Sequence, residues 1–178
     1  STPYDVKGLL ISSVLDGNPV VFIDERWLYG IEGEVPEEMY EVKIGKAKVR
    51  REGDDVTIIT SSYLVHEAVK ASDALEKEGM SVEVLDLLSI KPMDVEAIVS
   101  SVRRTGRALV LDGGWKNFGV SAEVAAVIAE NGLCSDGTGS LVRMALPDLP
   151  APASRTLEAG YYPDVDSIVR TVRKMVGD

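Results

Sequence analysis

The stretch Asp55–Asp94, DVTIITSSYLVHEAVKASDALEKEGMSVEVLDLLSIKPMD, constrains the fold more than any other part of this 178-residue chain. Val56–Thr60 is a short run rich in β-branched residues. After Ser61 and Ser62 the apolar spacing becomes that of a helix, with Leu64, Ala68, Ala71 and Leu75 on one face. Gly79 stands where a helix ends, because glycine takes the left-handed conformation without a Cβ penalty, and Ser81–Leu87 returns to an apolar strand pattern. A strand, a helix and a second strand in so short a span require parallel strands and a right-handed crossover.

The same alternation continues downstream. Asp94 is placed to cap a helix whose apolar face is Val95, Ile98, Val99 and Val102 and which stops at Gly106; Arg107–Leu111 is the next strand. Asp112–Gly119 (DGGWKNFG) reads as a glycine-rich turn into a helix with core face Val120, Val124 and Ile128, closed by Gly132. Strand Leu141–Ala145 follows, and a proline-rich crossing leads to a last helix, Asp164–Val176. Alternation of this kind predicts a mostly parallel sheet with helices on both faces.

Upstream of Asp55 the pattern is different. Thr2, Pro3 and Asp5 form a helix start, with Val6, Leu9, Leu10 and Val14 as the predicted buried face and Gly17 as the stop. Pro19–Ile23 (PVVFI) is apolar throughout and reads as a buried parallel strand. Asp24–Tyr40 is acidic and broken by Gly30, Gly33 and Pro36, hence a linker, and Val42–Val49 alternates as an edge strand would. The helix and strand before the linker have no complete sheet of their own and read as the tail of a preceding domain; a start at Ser1 without methionine fits a trimmed piece of something longer.

Charge narrows the partners. A formal net charge of −10 disfavours nucleic acid and anionic membrane, which an acidic surface repels. The single cysteine, Cys134, forms no internal disulfide, and no apolar run approaches the roughly 20 residues needed to span a bilayer, so the expected compartment is a bacterial or archaeal cytoplasm or an organelle matrix.

The residues that could carry chemistry are few. The loop at 112–119 has the strand-to-helix setting of an anion site, but its glycines fit neither the dinucleotide fingerprint nor the nucleotide P-loop, and a tight turn with close helix packing explains them as well. Trp115 and Phe118 in that loop suit an interface. His66, the only histidine, lies at a helix start beyond the end of a strand, where open α/β sheets gather ligands, yet it has no cysteine cluster or nucleophile elbow beside it. The residues alone therefore describe an α/β domain without a self-sufficient active site.

Several ordered phrases carry a family resemblance: STPYDVKGLLISSVLDGNPVVFIDERWLY, GEVPEEMYEVKIGKAKVRREGDDVTII, DLLSIKPMD, RRTGRALVLD, GVSAEVAAVIAE and PAPASRTLEAGYYPDVDSIVRTV. Together they resemble the β subunit of thiamine diphosphate-dependent 2-oxo acid dehydrogenases of the pyruvate, branched-chain and acetoin type. The resemblance implies that residues 1–45 are the last helix, last strand and exit linker of a pyrimidine-binding domain. Residues 46–178 would then be a transketolase-type C-terminal domain, a three-layer α/β/α sandwich on a five-stranded mostly parallel sheet.

Further implications follow from the resemblance. The family's catalytic glutamate and histidines lie upstream of Ser1, and the diphosphate and magnesium are held by the α subunit. No catalytic, cofactor or metal residue is therefore expected here, and the piece alone is expected to bind no cofactor and to be inactive. Its role would be assembly with an α subunit and a second β subunit, as a homo-oligomer through the latter, and docking of a lipoyl acyltransferase through a small basic domain. His66, Trp115 and Phe118 become candidates for an interface or active-site rim, and Asp164, Asp166 and Asp178 for partner docking. Ser61-Ser62, Phe118 and Ser121 depart from family glycines. The alternatives are the matching domain of a transketolase or deoxyxylulose phosphate synthase, and a free-standing anion-binding α/β module using residues 112–119.

Overall fold

A computed structural model describes residues 1–134 and 140–177. β2 (Val56–Thr60) and β3 (Val82–Asp86) are buried at every position, as parallel strands covered on both faces must be. They pair in register from Val56 opposite Val82 to Thr60 opposite Asp86. β4 (Arg107–Trp115) lies parallel on the other side of β2, β5 (Ser140–Leu146) is parallel to β4, and β1 (Lys48–Arg51) runs antiparallel along β3. The sheet order is β1-β3-β2-β4-β5.

Two apolar layers close the sandwich. On one face α2 (Leu64–Glu76) and α6 (Val165–Val176) pack Leu64, Ala68, Ala71, Leu75, Ile168, Val169 and Val172 over Val56, Ile58, Val84, Leu109 and Leu111. On the other, α3 (Val95–Thr105) and α4 (Val120–Glu130) cover Ile59, Leu85, Ala108 and Val110 with Ile98, Val102, Val124, Val127 and Ile128. This is the three-layer α/β/α sandwich with a five-stranded, mostly parallel sheet that the sequence predicts.

Five expectations are corrected. Pro19–Ile23 is not a strand: it has no sheet partner, and Val21 and Ile23 are each 86% exposed. A uniformly apolar run signals burial but does not say against what, and the sheet already ends at β1 and β5. In α1 (Pro3–Leu15) the inward positions are Asp5, Gly8 and Ser12, while Val6, Leu10 and Val14 face outward. Gly8 packs so closely that a Cβ there would lie 2.4 Å from Val42 Cγ2, and Asp5 turns to the basic edge strand.

The edge strand itself starts at Lys48 rather than Val42, because the Ala47 amide is taken by the Asp94 carboxylate at 3.1 Å. β4 continues through Gly113 and Gly114 to Trp115, opposite Leu146, so the predicted turn is confined to residues 116–119. Within α3, Val95 is half exposed and contributes little to the core.

Asp94 joins two elements. Its buried carboxylate caps α3 through the Ala97 amide at 3.2 Å and also holds Ala47 and Lys46. Burial alone would raise its pKa, but the two backbone hydrogen bonds and Lys46 hold it below the usual carboxylate range. Asp94→Ala is expected to cost about 2 kcal/mol in urea denaturation and to speed amide exchange at Ala47. A loss under about 0.5 kcal/mol, the size of a neutral surface change, would contradict this account.

Candidate functional site

At the C-terminal edge of the sheet, the 112–119 loop already holds an anion, and it is the chain's own. Asp112 Oδ2 accepts the Ser121 amide at 2.7 Å, and Oδ1 accepts the Gly114 amide at 2.8 Å. This carboxylate sits at the N-terminus of α4, where backbone N–H groups and the helix dipole favour negative charge. Gly119 is required by packing, since a Cβ there would lie 2.2 Å from Trp115 O and 2.7 Å from Asp112 Oδ2. A phosphate or diphosphate does not fit this cradle without expelling Asp112. Among the described residues, no group of three or more His, Cys, Asp or Glu stands together to hold a metal ion.

Trp115 projects from the end of β4 and Phe118 from the turn that follows. Trp115 is 60% exposed and Phe118 wholly so, the latter with φ +59°. That left-handed angle explains why glycine suits this position, and why phenylalanine there has a reason beyond backbone fit. Two aromatic side chains presented to solvent at the end of a strand and in the turn after it can contact another surface.

His66 occupies the first turns of α2, with Nε2 2.8 Å from the Ser1 carbonyl oxygen. Close to that N-terminal anchor lies a cluster that sequence reasoning missed. Asp86, wholly buried at the end of β3, accepts from Arg50 Nε at 3.0 Å and Nη2 at 2.8 Å; Arg50 Nη2 also binds Asp5, and Ser1 Oγ donates to Asp86. Lys48 approaches Asp5 Oδ1 at 3.8 Å. Burial would raise the Asp5 pKa, but the bonds from Thr2 and Arg50 outweigh it and hold the carboxyl below its ordinary value. The available signal was the basic pair Lys48 and Arg50 at strand spacing beside a carboxylate ending an apolar strand, because a buried charge demands a partner.

The acidic linker is pinned to the domain at several points. The Glu25 carboxylate caps α2 by accepting the Tyr63 amide at 3.1 Å and the Ser62 hydroxyl. Lys7 Nζ donates to the carbonyls of Pro36, Glu37 and Glu38. Trp27 stands edge-on to Tyr63 and Tyr162, with ring centroids 5.0 and 4.8 Å away. These rings line an open groove of about 490 Å³ completed by Glu67, Arg155, Glu158, Ala159, Pro163 and Asp164.

Two of the aspartates singled out for docking, Asp164 and Asp166, stand at the start of α6. Asp164 caps α6 in a capping box with Ser167, which lowers its pKa, and Asp166 is exposed in the first turn. Asp178 lies outside the described residues. His66 belongs to the helix that follows β2, Trp115 is the last residue of β4, and Phe118 lies in the turn after it.

Comparison with known proteins adds the following. Residues 45–168 match the sequence model of the family described as transketolase, C-terminal domain. The chain is 44% identical over 177 residues, 99% of its length and 54% of the other's, to the pyruvate dehydrogenase E1 component subunit beta of Bacillus subtilis. It is 42% identical over 177 residues to the 2-oxoisovalerate dehydrogenase subunit beta of the same organism, covering 98% of this chain and 54% of that protein. To the acetoin:2,6-dichlorophenolindophenol oxidoreductase subunit beta of Cupriavidus necator it is 38% identical, covering 98% of this chain and 51% of that protein. The chain thus spans about half the length of these relatives. Among solved structures, a split-gene transketolase in an inactive beta4 tetramer superposes with TM-score 0.67 at 28% identity, covering 76% of this chain and 44% of that one.

Proposed function

The chain belongs to the transketolase C-terminal domain family, in the form found in 2-oxo acid dehydrogenase β subunits, and from this we propose that it is the assembly and docking part of such a subunit. The parent reaction would be thiamine diphosphate-dependent oxidative decarboxylation of a 2-oxo acid, with transfer of the acyl group to lipoyl groups on a partner acyltransferase. Thiamine diphosphate and magnesium would supply that chemistry from a site completed by an α subunit. This chain's own residues contribute surfaces and no reacting group.

One observation carries the reading. The relatives match through residues 1–44, outside the family model, and that segment presents Val14, Val21 and Ile23 unburied. Apolar side chains grouped on an exposed segment mark a surface that another polypeptide covers. A pyrimidine-binding domain and a second β subunit are the partners this reading supplies, with residues 1–45 as the tail of the former. The β subunits match at 38–44% identity over nearly the whole chain, against 28% over 76% of it for the split-gene transketolase, which favours this reading over the transketolase alternative. Among the described residues no helix is long and apolar enough to cross a membrane, in keeping with the proposed cytoplasmic or matrix setting.

Calorimetric titration of the chain tests the proposal in two arms. With the basic binding domain of a lipoyl acyltransferase, saturable binding is expected whose affinity drops steeply with salt, because the charge of −10 steers a basic partner and rim charges are screened over roughly 8–10 Å. Thiamine diphosphate with magnesium should give no saturable heat. Binding indifferent to salt, or micromolar cofactor binding, would overturn the assignment.

A further inference from the structure

The groove between the linker and the α6 entry has a chemistry that the β-subunit reading does not use. Its walls are the rings of Trp27, Tyr63 and Tyr162, and its polar lining is three carboxylates, Glu67, Glu158 and Asp164, against one guanidinium, Arg155. Glu67 is engaged by Lys70 at 2.8 Å and by the Tyr63 hydroxyl at 3.2 Å, and Asp164 by the start of α6. Among the described residues, Glu158 and Arg155 have no side-chain partner. An aromatic-walled groove with a free carboxylate gives an apolar ligand an unpaired charge to cover and a cation an acceptor. It suits a cation that can lie against a ring face while donating to a carboxylate.

We infer that this groove receives an arginine side chain of a partner polypeptide. A guanidinium is planar, stacks on tryptophan and tyrosine, is weakly hydrated and forks onto a carboxylate; an ammonium does only part of this. Glu158 is the acceptor and the Trp27–Tyr162 pair the stacking wall. A polypeptide is favoured over a free small cation because the groove is open, and because the short helix α5 (Arg155–Glu158) that supplies its rim also presents Leu157, 66% exposed, which only a neighbouring residue of an extended segment would cover. Arg155, three residues before Glu158 on α5 and lining the same groove, is the internal competitor for the site.

The test uses the 178-residue chain carrying W115F, which leaves Trp27 as the sole tryptophan, and follows its fluorescence. The probes are three capped peptides, Leu-Arg-Gly and its lysine and citrulline counterparts. The arginine peptide should saturate in the millimolar range, with the lysine peptide at least about threefold weaker and the citrulline peptide showing no saturation. E158Q should weaken arginine binding about fivefold, the scale of one partly exposed ion pair, whereas R155Q should strengthen it. Both are rim substitutions whose thermal midpoints should match the parent's. Equal binding of arginine and citrulline or lysine peptides, or an E158Q affinity equal to the parent's, would overturn the inference. Because no acyltransferase domain or cofactor is present, failure here would leave the β-subunit proposal untouched.

Discussion

Replacing Arg50 by leucine is expected to remove about 3–5 kcal/mol of stability at neutral pH, the cost of leaving buried charge without its partner. Asp86 and Asp5 are 0% and 1% exposed, and Arg50 is the cation that touches both. Lys48, at 3.8 Å from Asp5, does not reach Asp86 as Arg50 does. The pH dependence has a defined sign. The Asp5 carboxyl is held below its ordinary value, so its contribution is present above the unfolded pKa of about 4 and is lost as pH falls through the lower folded value. The difference between parent and Arg50→Leu should therefore be greatest near pH 7 and shrink below about pH 4, where protonation spares the variant an unpaired charge. Urea denaturation across this range measures it. A difference under about 1 kcal/mol at pH 7, or one that ignores pH, would show that the cluster is not what ties α1 to the sheet.

The second large effect is expected at Gly53, in the turn between β1 and β2. A Cβ there would lie 2.2 Å from the Val82 carbonyl carbon and 2.3 Å from the Glu83 nitrogen, both backbone atoms of a strand inside the sheet. Neither can step aside. The turn must lift instead, stretching the bonds from the Asp54 and Asp55 amides to Ser81 O, now 3.1 and 2.8 Å, and disturbing the Arg104 contact with Gly53 O. Gly53→Ala should cost about 3 kcal/mol, an overpacking penalty. Gly79→Ala is the control: it has φ +84° and open space, so it should cost only about 1 kcal/mol, from backbone conformation alone. If the two variants lose equally, steric approach is not what selects glycine at position 53.

Most of the sandwich was legible in the sequence because apolar spacing reports local burial directly. Leu64, Ala68, Ala71 and Leu75 lie on the covered face of α2, and Asp94 and Gly106 bound α3 as their capping chemistry requires. What failed was whatever depended on a distant partner. The PVVFI run is apolar without a sheet to join, and α1 turns a polar face inward because Asp5 and Gly8 answer to Arg50 and Val42, neither of which a helical pattern can reveal. The turn read at 112–119 begins only after Trp115, because Asp112 to Trp115 stay paired with β5, and whether its cradle was free depended on where one carboxylate pointed. The aromatic groove was invisible for the same reason, since Trp27, Tyr63 and Tyr162 are brought together only by the folded chain.

The Asp112 carboxylate in that cradle has a thermodynamic consequence. A bound phosphate stabilises a protein by an amount that follows its concentration, whereas an anion carried two residues before Gly114 and nine before Ser121 is present at a fixed, high effective concentration. The start of α4 is therefore occupied by the chain's own carboxylate. The order of that helix start comes from within the chain, and with it the geometry of the strand end that carries Trp115 and the turn that carries Phe118.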